Sequence, residues 1–228
     1  MTSIAERLQL VKQRLLCAEA SAGRTPGSVT LVAVSKTQPT SCIREAWDAG
    51  QRHFGESYLQ EALAKQAELA GLDLIWHFIG PIQSNKTRLI AGHFEWVHGV
   101  DRLKIAERLN EQRPENLPPL NVCLQVNISD EASKSGVSLA ELPALAEQVV
   151  RLPGLKLRGL MAIPEPGGGM DRQRIPFRRL RLALEALHAP GMDTLSMGMS
   201  DDLEAAVMEG ATLVRIGSAI FGARPVRM

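Results

Sequence analysis

Cysteine is scarce in this chain of 228 residues: Cys17, Cys42 and Cys123 are odd in number, far apart and without a Cys-x-x-Cys pair. That argues against a disulfide framework and a structural zinc site. The histidines, His53, His77, His93, His98 and His188, also lack metal-ligand spacing. Aromatic residues make up only 4% of the chain, with a single tyrosine, Tyr58. The basic cluster Arg172, Arg174, Arg178, Arg179 and Arg181 therefore has no interleaved aromatics and reads as a solvated helix face rather than an RNA site. A net charge of +1 supplies no field that would draw the molecule to nucleic acid or membrane. No apolar run approaches the length of a membrane span. Met1-Thr-Ser-Ile-Ala-Glu-Arg7 lacks the basic-then-apolar order of a secretory signal, and Ser3-x-x-Glu6 fits a helix capping box instead. These absences lead to the expectation of a reduced, cytoplasmic, metal-free protein.

What is present is alternation. With 45% hydrophobic and 22% charged residues, the chain can bury the core of one large domain. Ile4, Leu8, Val11 and Leu15 form a stripe of helical period. Thr30 to Val34 is a continuous apolar run, as in a strand buried on both faces. Further strands are expected at 51–54, 74–79, 94–97, 121–127, 155–161, 194–197 and 212–216, with helices between them, one of them over 56–69. The polar segment 130–138 and the Pro/Gly segment 164–169 read as loops. Eight strands alternating with helices predict a single (β/α)8 barrel domain over residues 1–228, with a doubly wound open sheet as the alternative.

Chemistry in such a barrel belongs at the C-terminal strand ends, with a phosphate site after strands seven and eight. Lys36 follows the first strand, where partial desolvation would lower its pKa and free an amine for Schiff-base formation; a plain surface lysine is the alternative. Ser200, in Ser196-Met-Gly-Met-Ser200, reads as the N-cap of the next helix, and Gly217 and Ser218 follow strand eight. Glycine amides and hydroxyls there can cradle a phosphate, or simply turn and cap the chain. Arg215 lies inside an apolar strand and needs a partner. That partner is either the pyridine nitrogen of a bound cofactor or a barrel carboxylate such as Glu56. Gln83 to Arg88 could line the mouth of the site. An amine at the first strand and a phosphate cradle at the last two is the layout of a barrel that holds pyridoxal 5′-phosphate (PLP).

Several motifs then align in order: Val34-Ser-Lys36, Phe54-Gly-Glu-Ser-Tyr58, Trp76-His-Phe-Ile-Gly-Pro-Ile-Gln-Ser-Asn-Lys86, Gly159-Leu-Met-Ala-Ile163, Ser196-Met-Gly-Met-Ser-Asp-Asp202 and Val214-Arg-Ile-Gly-Ser-Ala-Ile-Phe-Gly222. Over about residues 3 to 224 the chain resembles the PLP homeostasis protein family. The resemblance implies a fold-type III barrel like the N-terminal domain of alanine racemase, without that enzyme's C-terminal β-domain. It implies PLP as a Schiff base on Lys36, Arg215 at the pyridine nitrogen, and Ser200, Gly217 and Ser218 at the phosphate. Met199 and Ser57 complete the expected cofactor-binding set. Ser57 stands where the family usually has asparagine, which puts the contact made there in question.

The function implied is vitamin B6 homeostasis: binding PLP and buffering or supplying it, with PLP-dependent apoenzymes as partners and no catalytic turnover. A monomer is expected. An amino-acid racemase of the alanine racemase type is the alternative, but it needs a second acid/base opposite the lysine. In those enzymes a tyrosine of the C-terminal domain, contributed by the partner subunit, serves. Lys86 and Lys134 stand open as transient second aldehyde sites.

Overall fold

The computed structural model describes residues 2–129, 135–165, 167–189 and 191–222. The chain enters through α1 (Ile4–Ser21), whose start is the expected capping box: the Glu6 amide donates to Ser3 Oγ and the Ser3 amide to Glu6 Oε2. The predicted stripe is buried, and Glu45 Oε1 on the next helix accepts from the Ile4 amide.

The strands are β1 (Thr30–Val34), β2 (His53–Glu56), β3 (Ile75–Phe78), β4 (Trp96–Val100), β5 (Leu120–Gln125), β6 (Leu155–Met161), β7 (Thr194–Ser196) and β8 (Leu213–Ile216). All pair in parallel, in sequence order, and β8 closes on β1 through Thr30 opposite Leu213 and Val32 opposite Arg215. The expected closed barrel is therefore observed, and the open-sheet alternative is overturned. Outside it lie α2 (Thr40–Asp48), α3 (Leu59–Glu68), α4 (Thr87–His93), α5 (Leu103–Glu111), α6 (Leu142–Val149), α7 (Met170–Ala186), α8 (Leu203–Met208) and a four-residue helix, α9 (Ser218–Phe221).

Two strands sit later than the pattern predicts. Gly55 and Gly99 look like breakers, yet both lie within strands, β2 and β4. A side chain on Gly55 would stand 3.1 Å from Val32 and 3.2 Å from Ile79, so its absence lets neighbouring strands pack there. Glu56 consequently belongs to β2 and is fully buried, rather than opening a helix.

Two layers of burial result. One continuous apolar cluster fills the space between strands and helices. Val32, Cys123, Met161 and Leu213 are buried but stand apart from that cluster. Strand alternation turns them into the barrel with the polar residues His77, His98, Ser196 and Arg215.

The arginines of α7 are not a merely solvated face. Glu209, 2% exposed at the end of α8, accepts from Arg174 Nε at 2.8 Å and Arg178 Nη2 at 3.0 Å, with Arg181 Nη2 at 3.7 Å. Burial alone would raise the Glu209 carboxyl; the hydrogen bonds from Arg178 and Arg174 outweigh it and hold the group below the usual range. Arg179 instead donates to the Ile128 carbonyl at 2.8 Å. The cluster thus clamps α7 to α8 beneath the β7 loop. Glu209→Gln is expected to cost about 2 kcal/mol in urea unfolding, since charge-assisted bonds to a buried group are lost; an unchanged midpoint would show the clamp to be idle.

Candidate functional site

Lys36 lies two residues beyond β1, half-buried, on a loop held by an unusual amount of polar structure. Thr37 has φ 66°, a left-handed conformation that a β-branched residue rarely adopts. Its amide donates to Glu61 Oε1 at 2.5 Å. Beneath the loop, Lys65 Nζ donates to the Ser35 carbonyl, Glu56 Oε1 and Glu61 Oε1, each at 2.7 Å, and Ser35 Oγ donates to Glu56 Oε1 at 2.7 Å. Glu56 Oε2 has no partner among the described residues. Burial pushes the Glu56 carboxyl up, against the pull of Lys65 and Ser35. This cluster fixes the backbone on both sides of Lys36.

Opposite, the β7 loop turns at Gly198, whose φ is 94° and where a Cβ would stand 2.5 Å from that of Ala206. Arg215 N donates to the Gly198 carbonyl at 2.9 Å, tying the loop to β8. The expected N-cap role of Ser200 is overturned: α8 begins three residues later, and Asp202 occupies the capping position. Asp202 Oδ1 accepts from the Met199 amide at 2.5 Å, so this aspartate shapes the loop. Ser200 Oγ is released to meet Ser218 Oγ at 3.2 Å.

Arg215 is 4% exposed, and Glu56 is not its partner, because Lys65 holds that carboxylate. Arg215 Nη1 donates to Ser196 Oγ at 2.7 Å and Nη2 to the Ala162 carbonyl at 3.0 Å. Its other N–H donors have no acceptor among the described residues. Burial lowers its pKa to about 10, with Asp202 and Cys123 offsetting part of the effect.

All seven residues expected from sequence, Lys36, Ser57, Met199, Ser200, Arg215, Gly217 and Ser218, line one cavity of about 280 Å³ at the C-terminal mouth. Gln38, Ile79, Ile163, Asp201 and Phe221 also line it and were not anticipated. Ile163, 42% exposed, marks the open rim. Ser57 is held in the wall by Gly80, where a Cβ would stand 2.4 Å from the Ser57 carbonyl oxygen. The segment Gln83 to Arg88, with Lys86, forms a short turn and the start of α4 away from this cavity. Lys134 lies outside the described residues. Glu61 and Lys65 escaped the sequence reading, and Glu56 was considered as a partner for Arg215 rather than for Lys65.

The donor set fits PLP. Paired hydroxyls beside Gly217 suit a phosphate monoester, the lysine suits an aldehyde, and a buried donor-only guanidinium suits an unprotonated ring nitrogen. The class so defined, a closed parallel barrel with an amine at the first strand and an anion cradle at the last two, agrees with the comparisons. Residues 8–225 match the family profile "Alanine racemase, N-terminal domain".

Within that class, the chain belongs to the pyridoxal phosphate homeostasis protein family. It is 66% identical over 224 residues to the protein of that name from Pseudomonas aeruginosa, spanning 98% of this chain and 97% of that one. It is 56% identical over 229 residues to the one from Escherichia coli K12, spanning 98% of each. The structure of PipY from Synechococcus elongatus with PLP bound superposes with a TM-score of 0.83 at 42% identity, covering 96% of this chain and 100% of that one. Alanine racemase from Corynebacterium glutamicum shares the fold at 20% identity, with a TM-score of 0.68 and 62% of its chain covered.

The interior histidines make the site sensitive to acid. Burial, with Arg215 adding to it, lowers His98 from 6.5 to about 3, and burial followed by His98 and His53 puts His77 well below its ordinary value. Both rings are neutral when folded and gain a proton on unfolding below pH 6.5, so stability is complete above that pH and falls as pH drops toward 3. His98 is expected to remove roughly 1.4 kcal/mol per pH unit over that window, with His77 acting in the same direction. Urea unfolding at a series of pH values should show it; a flat profile would mean that the rings are protonated in the fold.

Proposed function

We propose that this protein binds PLP at the mouth cavity through Lys36 and acts in PLP homeostasis, holding the cofactor and passing it to PLP-dependent apoenzymes. On this reading it is a cytoplasmic monomer without catalytic turnover, and residues 1–228 act as one PLP-binding domain. The observation that carries it is convergence: residues from both ends of the chain place an amine, a hydroxyl pair and a buried guanidinium around one cavity. Bound PLP would supply an aldehyde able to exchange between amines, and Lys36 is the amine placed to hold it.

The remaining residues bind and orient. Ser200, Ser218 and the backbone at Met199 and Gly217 would receive the phosphate. Arg215 would face the ring nitrogen as a permanent donor, which leaves that nitrogen unprotonated and the ring a weak electron sink. Weak electron withdrawal suits storage better than turnover. The open rim at Ile163 supports the same reading, because enzymes that run PLP chemistry generally exclude water. A racemase needs a second proton carrier facing the lysine. Among the lining residues the other ionisable groups are Asp201, on the cradle, and Arg215. Tyr58 caps α3 and is not in the wall. No helix among the described residues is long and apolar enough to cross a membrane.

Incubation with PLP, borohydride reduction and peptide mass spectrometry should place a pyridoxyl group on Lys36. Lys36→Ala should lose it and keep its circular dichroism spectrum; collapse of the variant would make the lysine structural. Ser200→Ala and Ser218→Ala should each weaken PLP affinity about tenfold, the worth of one charge-assisted hydrogen bond. The loaded protein should reactivate an apo-aminotransferase and form no D-alanine from L-alanine. Steady formation of D-alanine would replace the carrier reading with a racemase.

A further inference from the structure

Below the cavity, a line of hydrogen bonds leaves Arg215 and crosses the whole barrel. Ser196 Oγ, which accepts from Arg215, lies 2.7 Å from His98 Nδ1. His98 Nε2 lies 2.9 Å from His77 Nδ1, and His77 Nε2 lies 2.9 Å from His53 Nδ1. Ser196, His98 and His77 are fully buried, and Trp96 stacks on His77 with ring centroids 5.6 Å apart. His53 begins β2 and opens into a separate cavity at the opposite end, lined also by Lys12, Leu31 and Arg52. The line therefore joins the two faces of the barrel.

Its direction follows from donor chemistry. A guanidinium only donates, so Ser196 accepts from Arg215; His98 Nδ1 is the one acceptor its hydroxyl proton has among the described residues, and the proton goes there. His98 must then carry its own proton on Nε2 and donate it to His77 Nδ1. His77 does the same to His53, which is left with an Nε2–H facing the far cavity. In this direction one cation at the mouth and three rings share a single tautomer order.

We propose that His98, His77 and His53 are positioning residues for Arg215, forming with Ser196 a polarised proton path that couples the mouth cavity to the far face. If His53 becomes doubly protonated, its Nδ1–H must donate to His77 Nε2. The added proton comes from solvent; along the line His77 and His98 each keep one proton, now on Nδ1, and Ser196 keeps its own, turned away from His98. Net uptake is one proton, and His77 and His98 both end as Nδ1–H tautomers. Ser196 then accepts from both His98 and Arg215, and the environment of the guanidinium changes. The charged and titratable groups facing His53 are His77 from β3, Lys12 and Glu19 from α1, and Arg52 beside it in the chain. Glu19 is occupied by the amides of Gly27 and Val29. Burial lowers the pKa of His53, which sets the change on the acid side of neutrality.

The effect on PLP rests on the function proposed above; the path itself does not. Nitrogen-edited NMR of the ligand-free protein reads the tautomers directly. Near neutrality all three rings should be Nε2–H, and a ring of His77 or His98 protonated on Nδ1 would overturn the assignment. As pH falls from about 8 to about 5, His77 and His98 should switch together as His53 gains its proton. His53→Gln, which can keep a hydrogen bond but has no second tautomer, should abolish the switch. If His53 titrates while the other two rings stay fixed, there is no path. In the PLP-loaded protein the visible absorption band should shift over the same pH range and lose that shift in His53→Gln. A switch without a band shift would leave the rings uncoupled from Arg215 and overturn the positioning role. A protein that takes no pyridoxyl group on Lys36 but shows the tautomer switch would refute the PLP reading and leave the path standing.

Discussion

The parallel pairing of β8 with β1 is the contact on which everything else in this molecule depends. It sets Val32 opposite Arg215 and Ala33 opposite Ile216. That register carries the guanidinium into the barrel and sets Gly217 beside Val34, where a Cβ would stand 3.3 Å from the Val34 carbonyl oxygen. The lysine after β1 and the cradle after β8 are thus neighbours because the sheet closes. A slip of one residue would turn Arg215 outward among the helices and send Ile216 inside. Closure also removes the exposed sheet edges that a parallel array would otherwise leave.

Polar groups buried inside the barrel and between β2 and α3 are expensive, and the structure meets the cost by pairing. Glu56 is neutralised by Lys65, and Arg215, with no carboxylate in contact, is satisfied in part by a hydroxyl and a carbonyl. Replacing such buried charges with apolar residues of the same volume is often neutral or stabilising. What the polar filling gives instead is orientation. The Lys65–Glu56–Ser35 cluster sits directly below the Lys36 loop and lets Thr37 keep a left-handed backbone that would relax elsewhere. The apolar cluster between strands and helices supplies the stability against which both networks are held.

Much of this could be read from the chain, and the rest failed for definite reasons. Runs such as Thr30–Val34 and Leu155–Met161 were legible because strands buried on both faces are continuously apolar. The convergence of Lys36, Arg215 and the serines on one cavity was legible because strand ends are where such barrels place chemistry, and ordered motifs reinforced each one. Gly55 and Gly99 misled, since glycine marks a turn in isolation but here gives room between strands. Ser200 misled because a serine before two aspartates resembles a cap, while Asp202 has been drawn back to the Met199 amide. The arginines of α7 misled because periodicity cannot reveal a buried carboxylate arriving from α8. Lys65 and the three aligned histidines carry no local signal; they acquire meaning only from distances across strands that sequence does not contain.

A floor that is rigid and a rim that is open make different demands, and this fold separates them along the barrel axis. Arg215, Ser196, His98 and His77 are buried and hydrogen-bonded, so the floor of the cavity is pre-organised. The proposed phosphate cradle and Ile163 lie at the edge, where incoming groups can reach the cavity. A catalytic site gains from enclosing its reactant, because water exclusion strengthens every charge interaction within it. A holding site gains from the reverse, since on the proposed reading release requires another amine to approach the carbon that Lys36 would engage. Charge on the guanidinium, fixed from below, and access for an amine, granted from above, are both compatible with one cavity only because the barrel puts them at different depths.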